Sequence, residues 1–169
     1  LRVGGIFLTA VLLLGVSLSQ TQKSIRSIVQ SYMLTTAKDN GTIMDTVLDA
    51  KGAEVLNDAD ALSGLLANVK VEDMESSYAY LVSADGTMLY HPTADKIGSP
   101  VENEVVTALV ADLKGGKIAD PACVEYNFKG VIKYAAYYIN PQGSYILVVS
   151  ADQSDAFSAV TQTRNYLIG

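Results

Sequence analysis

The chain has 169 residues, of which 49% are apolar, and a formal net charge of −6. That length fits one domain with an appendage, and an acidic balance excludes nucleic acid as a partner, because phosphate binding needs clustered Lys and Arg. The single cysteine, Cys123, and single histidine, His91, exclude an internal disulfide and leave too few soft ligands for a zinc or iron–sulfur site.

From Val3 to Ser19 there is no charged residue and Leu, Val, Ile and Phe dominate, which predicts a transmembrane helix over 1–20. At 1.5 Å per residue this apolar run covers roughly 25 Å, short of a ~30 Å hydrocarbon layer, so the span is expected to be incomplete. Arg2 as the basic flank places the amino end in the cytoplasm. A cleavable signal peptide is the alternative, and it requires a cleavage site followed by loop-like sequence. Instead Ile25, Ile28, Val29 and Tyr32 recur at three- and four-residue spacing, and Ile43 and Val47 keep the phase. A stalk helix over 21–50 follows, with a weak point at Gly41, since an interior glycine costs about 1 kcal/mol. A second helix is predicted over 58–68, capped by Asp58 or Asp60 ahead of Leu62, Leu65 and Leu66.

Beyond it the apolar period changes from 3.6 to 2. Strands over 78–84 and 87–91 are joined by Asp85-Gly86, read as a two-residue primed turn. Ser99-Pro100-Val101-Glu102 carries three helix-start signals, with Ser99 as cap and Pro100 at the first helical position. Val101, Val105, Leu109 and Leu113 then form one apolar stripe ending at Gly115-Gly116. Three more strands follow over 123–128, 131–139 and 144–151, with turns at Lys129-Gly130 and 140–143. After Asp152, a helix cap in this reading, Ala156, Val160 and Tyr166 predict an exit helix over 153–169 entering a second transmembrane segment. The fold class is α+β: a long amino-terminal membrane-to-stalk helix on a five-stranded antiparallel sheet, with a helical excursion between strands two and three and a carboxy-terminal exit helix.

Enzyme signatures are missing: there is no Gly-x-Ser-x-Gly elbow, no phosphate-cradling glycine loop and no His-Glu-x-x-His. Cys123 reads as a small buried hydrophobe and His91 as a strand-end residue ahead of Pro92. A binding site has more support. A two-residue turn at Lys129-Gly130 pairs Tyr126 with Lys133, and a four-residue loop over 140–143 pairs Ile139 with Ser144 and Lys133 with Ser150. One face then gathers Tyr126, Lys133, Tyr137, Ser150 and Asp152; the more apolar opposite face, with Tyr134, Ala136, Tyr138, Leu147 and Val149, packs on the long helix. Such a set suits a small polar ligand, with Lys133 for a carboxylate, Tyr126 and Tyr137 as walls, and Asp152 for an amine. Tyr80 and Tyr90 point to opposite faces of the first hairpin; Tyr80, placed opposite His91 by a two-residue turn, is the one expected in the pocket. The bland reading stands beside this one: Lys133 extending its stem along the sheet, and Asp152 only capping a helix.

The residues 76–82 (SSYAYLV), 85–92 (DGTMLYHP), 96–101 (KIGSPV) and 130–138 (GVIKYAAYY), in this order of elements, resemble the single Cache sensor domain of bacterial methyl-accepting chemotaxis receptors. The resemblance covers nearly the whole chain, with a sensor domain over 21–152. It implies a non-enzymatic, PAS-like ligand-sensing domain without cofactor, extracytoplasmic over about 21–160 in the bacterial cell membrane. It also implies a ligand under the excursion, with Asp152 holding the place of an acidic residue that meets a ligand amine in relatives binding amino acids. Their Arg and Trp have no counterpart here, so a small organic acid is an equal candidate. The family further implies a homodimer through parallel stalks, with Ile25, Ile28, Val29 and Tyr32 as seam positions, and cytoplasmic signalling partners outside this sequence. A histidine kinase or cyclase output, and a membrane-anchored binding protein without signalling, are the alternatives. A type IV pilin fits less well, because Val3 to Ser19 lacks the glutamate of pilin helices.

Overall fold

The structure, a computed structural model, describes residues 3–167, with the side chains of 3–7, 163, 164 and 166 outside the description. Helix α1 (Val3–Lys51) is followed by a short 3-10 turn (Ala53–Asn57) and helix α2 (Ala59–Leu66). Strands β1 (Tyr78–Ser83) and β2 (Met88–Tyr90) form the first hairpin, and the excursion carries helix α3 (Glu104–Lys114). Strands β3 (Ala122–Phe128), β4 (Val131–Ile139) and β5 (Tyr145–Asp152) form a meander, and helix α4 (Gln153–Tyr166) closes the described chain. All neighbouring strands are antiparallel, in the order β2-β1-β5-β4-β3. The first and last strands in sequence, β1 and β5, therefore pair at the centre, and β5 runs straight into α4.

Helix α1 runs without interruption through Gly41, and at 1.5 Å per residue its length is roughly 70 Å. Val29, Met33, Ala37 and Met44 form its fully buried stripe, with Gly41 completing the four-residue spacing. A side chain at Gly41 would meet the Tyr138 ring, since a Cβ there would lie 2.2–2.7 Å from three ring carbons. The Gly41 carbonyl also accepts a 2.9 Å hydrogen bond from the Tyr145 hydroxyl. The glycine is a close-approach position where β4 and β5 lie against the helix, not a hinge.

On the same sheet face, Leu81, Tyr134, Ala136, Tyr145, Leu147 and Val149 pack on α1, α2 and α4. The other face, with Val82, Ala135, Ile139, Ile146 and Val148, is covered by Val106, Leu109 and Val110 of α3. Two cores on the two faces of one sheet explain why β5 is buried at every position from Tyr145 to Ala151. Burial of a large apolar side chain contributes about 1.5–3 kcal/mol, so these layers dominate the stability.

Several local expectations are corrected. The first hairpin closes with a three-residue loop, not a two-residue primed turn: Gly86 N donates to Ser83 O, Ser83 N to Thr87 O, and Gly86 but not Asp85 has positive φ (94°). This is a type I turn followed by a left-handed glycine, and a separate irregularity shifts the register between Leu81 and Val82, with Leu89 as the extra residue on β2. At Lys129-Gly130 the expected two-residue turn forms, and both residues have positive φ (51° and 89°), a primed geometry. Strand β4 pairs with β5 two residues away from the expected register, with Ile139 opposite Ile146 and Lys133 opposite Asp152. Because side chains alternate with period two, that slip leaves both face assignments intact. Helix α3 starts at Glu104, not Pro100, and Asn103 caps it by accepting from Val106 N at 2.9 Å. Residues 99–101 instead extend along the hairpin, with Met88 N donating to Ser99 O and Val101 N to Gly86 O.

Among the expected seam positions Val29 is fully buried in the chain's own core and Ile25 packs against it, while Ile28 and Tyr32 are exposed. Among the described residues no helix is long and apolar enough to cross a membrane. The expected segment over 1–20 and the expected entry into a second one lie partly outside those residues. Within the described part, Leu8, Leu12, Leu13, Leu14 and Leu18 are each more than 60% exposed around α1.

Candidate ligand-binding site

A cavity of about 230 Å³ lies on the α3 face of the sheet, between the strands and the excursion. Its floor comes from alternate residues of three strands, Tyr78 and Tyr80 of β1, Tyr126 and Phe128 of β3, and Lys133 of β4. The hairpin exit contributes His91, and the excursion contributes a roof that includes Lys96, Glu102 and Asn103. Strand alternation makes this possible, because Tyr126 and Lys133 are direct cross-strand partners and so share a face.

Tyr80 is almost completely buried, and burial holds its hydroxyl pKa well above the usual tyrosine value. Its oxygen accepts from Asn103 Nδ2 at 2.9 Å, which ties the floor to the first turn of α3. Burial pushes Tyr126 up to about 12, so both phenols stay protonated at neutral pH. His91 is buried, with ring centroids 5.3 Å from Tyr78 and 5.8 Å from Tyr80. Desolvation and nearby Lys96 lower its pKa, so it is neutral near pH 7. Its Nδ1 accepts from Thr93 N at 2.9 Å, which leaves the proton on Nε2 as a donor.

Lys133 Nζ lies 2.6 Å from Asp152 Oδ1 and 5.9 Å from the Tyr78 ring centre. Lys133 and Asp152, each expected to meet a separate ligand group, hold each other in this structure. Asp152 adjoins the cavity through Lys133 without forming its wall, and its carboxylate is on that lysine instead of capping α4. Tyr137 lies on the same face but farther along β4, near Asp112, Asp120 and Lys117, outside the cavity wall. Ser150, between Tyr78 and Ala135 in the sheet, has a fully buried Oγ without a hydrogen bond. Tyr126 lies close to it on the same face, and that proximity opposes part of the rise that burial gives the Tyr126 hydroxyl.

The structure thus brings together four of the six expected residues, Tyr80, His91, Tyr126 and Lys133, with Asp152 one contact removed. Tyr78 was missed although it stands two residues from Tyr80, a period-two signal that assigns it to the same face. Asn103 and Glu102 had no such signal, because irregular chain carries them over the sheet. Burial pushes the Cys123 thiol up to about 12, so it is not a nucleophile at neutral pH.

No protein-family model matches the chain. No curated protein matches it either. Among solved structures it is similar to the ligand-binding domain of Mlp24 with asparagine, at 19% identity over 60% of this chain and 38% of that one, with a TM-score of 0.45. The periplasmic sensory domain of the Campylobacter jejuni chemoreceptor Tlp1 is similar at 19% identity over 58% of this chain and 36% of that one, with a TM-score of 0.45. The E. coli DcuS sensor domain is similar at 11% identity over 82% of this chain and 98% of that one, with a TM-score of 0.45. The chain spans less than two fifths of the first two structures, and no ligand or output is carried from them to it.

Proposed function

We propose that this chain is the extracytoplasmic ligand-sensing part of a bacterial chemoreceptor, binding a small polar molecule that bears a carboxylate. The observation that carries the reading is the lidded cavity on the sheet face away from α1, in which aromatic walls surround Lys133 on the floor and Lys96 on the roof, with a hydrogen-bond donor from His91. Small-ligand sites have this character, an apolar enclosure with a few placed polar groups. The sequence resemblance to single Cache sensor domains supports the same function, and the exposed apolar side chains of α1 between Leu8 and Leu18 support a membrane anchor. Because the central strand β5 passes from beside the cavity directly into α4, a ligand that moves the end of this strand moves the helix leading out.

Thermal-shift screening of the chain in detergent micelles against organic acids, amino acids and amines tests the site. A ligand at a hundred times its Kd stabilises by about 2.7 kcal/mol. Carboxylates are expected to raise the midpoint, and Lys133→Met and Tyr126→Ala to abolish the rise. Equal shifts in both variants would place binding elsewhere.

The same reading includes a homodimer through α1, with Ile28 and Tyr32 as its exposed seam. Cysteines at 28 and 32 are expected to crosslink between copies in intact cells, and a membrane-impermeant maleimide added first is expected to block them. Reaction only after permeabilisation would overturn the extracytoplasmic placement, and absence of crosslinks the seam.

A further inference from the structure

Lys133, the one lysine on the cavity floor, does not stand ready for a ligand: a carboxylate of the protein already occupies it. That carboxylate belongs to Asp152, the last residue of β5 and the residue immediately before α4. Its backbone therefore sits where a helix cap belongs, in the extended conformation that a cap adopts, and aspartate is among the most favourable residues there. Two other helices of this chain show the completed arrangement. Asp58 Oδ1 accepts from Ala61 N at 3.0 Å ahead of α2, and Asn103 Oδ1 accepts from Val106 N at 2.9 Å ahead of α3. The equivalent amide for Asp152 is that of Asp155, and in this structure the Asp152 carboxylate reaches Lys133 instead.

We propose that Asp152 is an internal occupant of the anion position at Lys133, and that a ligand carboxylate displaces it onto the first turn of α4. The inference rests on the reading of the cavity as a ligand site and names how that site is regulated. The backbone at the junction is already prepared for the exchange. Ser76 Oγ accepts from Asp152 N at 3.0 Å and lies 2.7 Å from Asp155 Oδ2, and Ser76 N donates to the same oxygen at 2.7 Å. The side chain of Asp152 can then change partners while its main chain stays in place. The ion pair is mostly buried, with the Lys133 side chain 16% and the Asp152 side chain 35% exposed, so a bound anion that takes over the lysine removes the partner that holds Asp152 and frees its carboxylate for the cap. The junction also reaches the incoming helix: Gln153 Nε2 donates to Glu125 Oε2 at 2.8 Å, and Arg26 of α1 lies 3.3 Å from the same oxygen. The exchange occurs where sheet, α1 and α4 meet.

Residue-resolved hydrogen exchange on the 169-residue chain in micelles tests this, with acetate as the probe. In Lys133→Met the Asp155 amide is expected to exchange about fivefold more slowly, as a newly formed cap requires, and Lys133→Met/Asp152→Ala to return it to the starting rate. Saturating acetate is expected to slow the same amide in the unmodified protein and to do nothing further in Lys133→Met. An unchanged Asp155 amide in Lys133→Met overturns the exchange. So does acetate that perturbs Lys133 and Tyr126 resonances while leaving that amide unaffected, although the binding site then stands. Slowing in Lys133→Met without any acetate effect at Lys133 or Tyr126 counts against the cavity as a carboxylate site, not against the two positions of Asp152. The acetate measurements use the unmodified chain, so they hold even where a variant folds poorly.

Discussion

Asp45→Ala is expected to lower stability by about 3 kcal/mol and the thermal midpoint by roughly 6–12 °C. Three donors from the sheet converge on this one carboxylate of α1. The Tyr138 hydroxyl lies 2.5 Å from Oδ2, and Asn140 Nδ2 and the Tyr145 hydroxyl each lie 2.6 Å from Oδ1. Removing the acceptor does not cost three full hydrogen bonds. Tyr145 keeps the Gly41 carbonyl at 2.9 Å, and Tyr138 is only half-buried. Asn140 is the costly partner: it is 3% exposed, and its own oxygen is held by Gln142 N and by Ser144 through N and Oγ, so its amide group has no freedom to turn elsewhere. Asp45→Asn is expected to be intermediate, because an amide offers one acceptor oxygen and presents its own donors to the remaining hydroxyls. Denaturant titrations of the three proteins decide the matter. A loss below about 1 kcal/mol in Asp45→Ala would show that α1 is held by its apolar stripe alone.

The larger features of this fold are readable before any coordinates because two periods carry them. Helical spacing marks α1, and alternation with turn residues marks the five strands, but of the expected stripe Ile25, Ile28, Val29, Tyr32, Ile43 and Val47 only Val29 belongs to the fully buried one of Val29, Met33, Ala37 and Met44, while Ile28, Tyr32 and Ile43 are exposed. The β4–β5 register was misread by two positions, yet Lys133, Tyr126 and Ser150 stayed on the correct face, because only an odd slip exchanges faces. What sequence could not show is where non-local partners overrule local signals. Ser99-Pro100-Val101-Glu102 has every feature of a helix start, but hydrogen bonds to Gly86 and Met88 hold it beside the hairpin, and the helix begins four residues later. Gly41 reads as a weak point in a helix until the Tyr138 ring lying against it gives another reason for a glycine. Lys133 and Asp152 were each assigned a ligand, and only the register that sets them opposite one another shows that they first satisfy each other.

Asn103→Ala is expected to cost about 2–3 kcal/mol and to weaken ligand binding as well. The side chain does two unrelated things at once. Its oxygen caps α3, a contact worth about 1 kcal/mol in most helices. Its nitrogen donates to the Tyr80 hydroxyl inside the cavity wall, where loss leaves a buried phenol without a partner, at about 1–2 kcal/mol. The two contributions separate by substitution. Asn103→Asp keeps the capping oxygen, and the Tyr80 hydroxyl then donates to the new carboxylate, so the stability change is expected to stay below about 1 kcal/mol. Tyr80→Phe keeps the cap and leaves the amide nitrogen unpaired. A double-mutant cycle between Tyr80→Phe and Asn103→Ala is expected to give a coupling of about 1 kcal/mol, and additive effects would show that the contact contributes nothing net. Because Tyr80 belongs to the floor and Asn103 to the roof, the same pair determines how tightly α3 closes over the cavity. Variants that lose the coupling should therefore show a smaller carboxylate-induced thermal shift than the loss of stability alone explains, while Asp45→Ala, which acts on the opposite face of the sheet, should lower the midpoint and leave the shift intact.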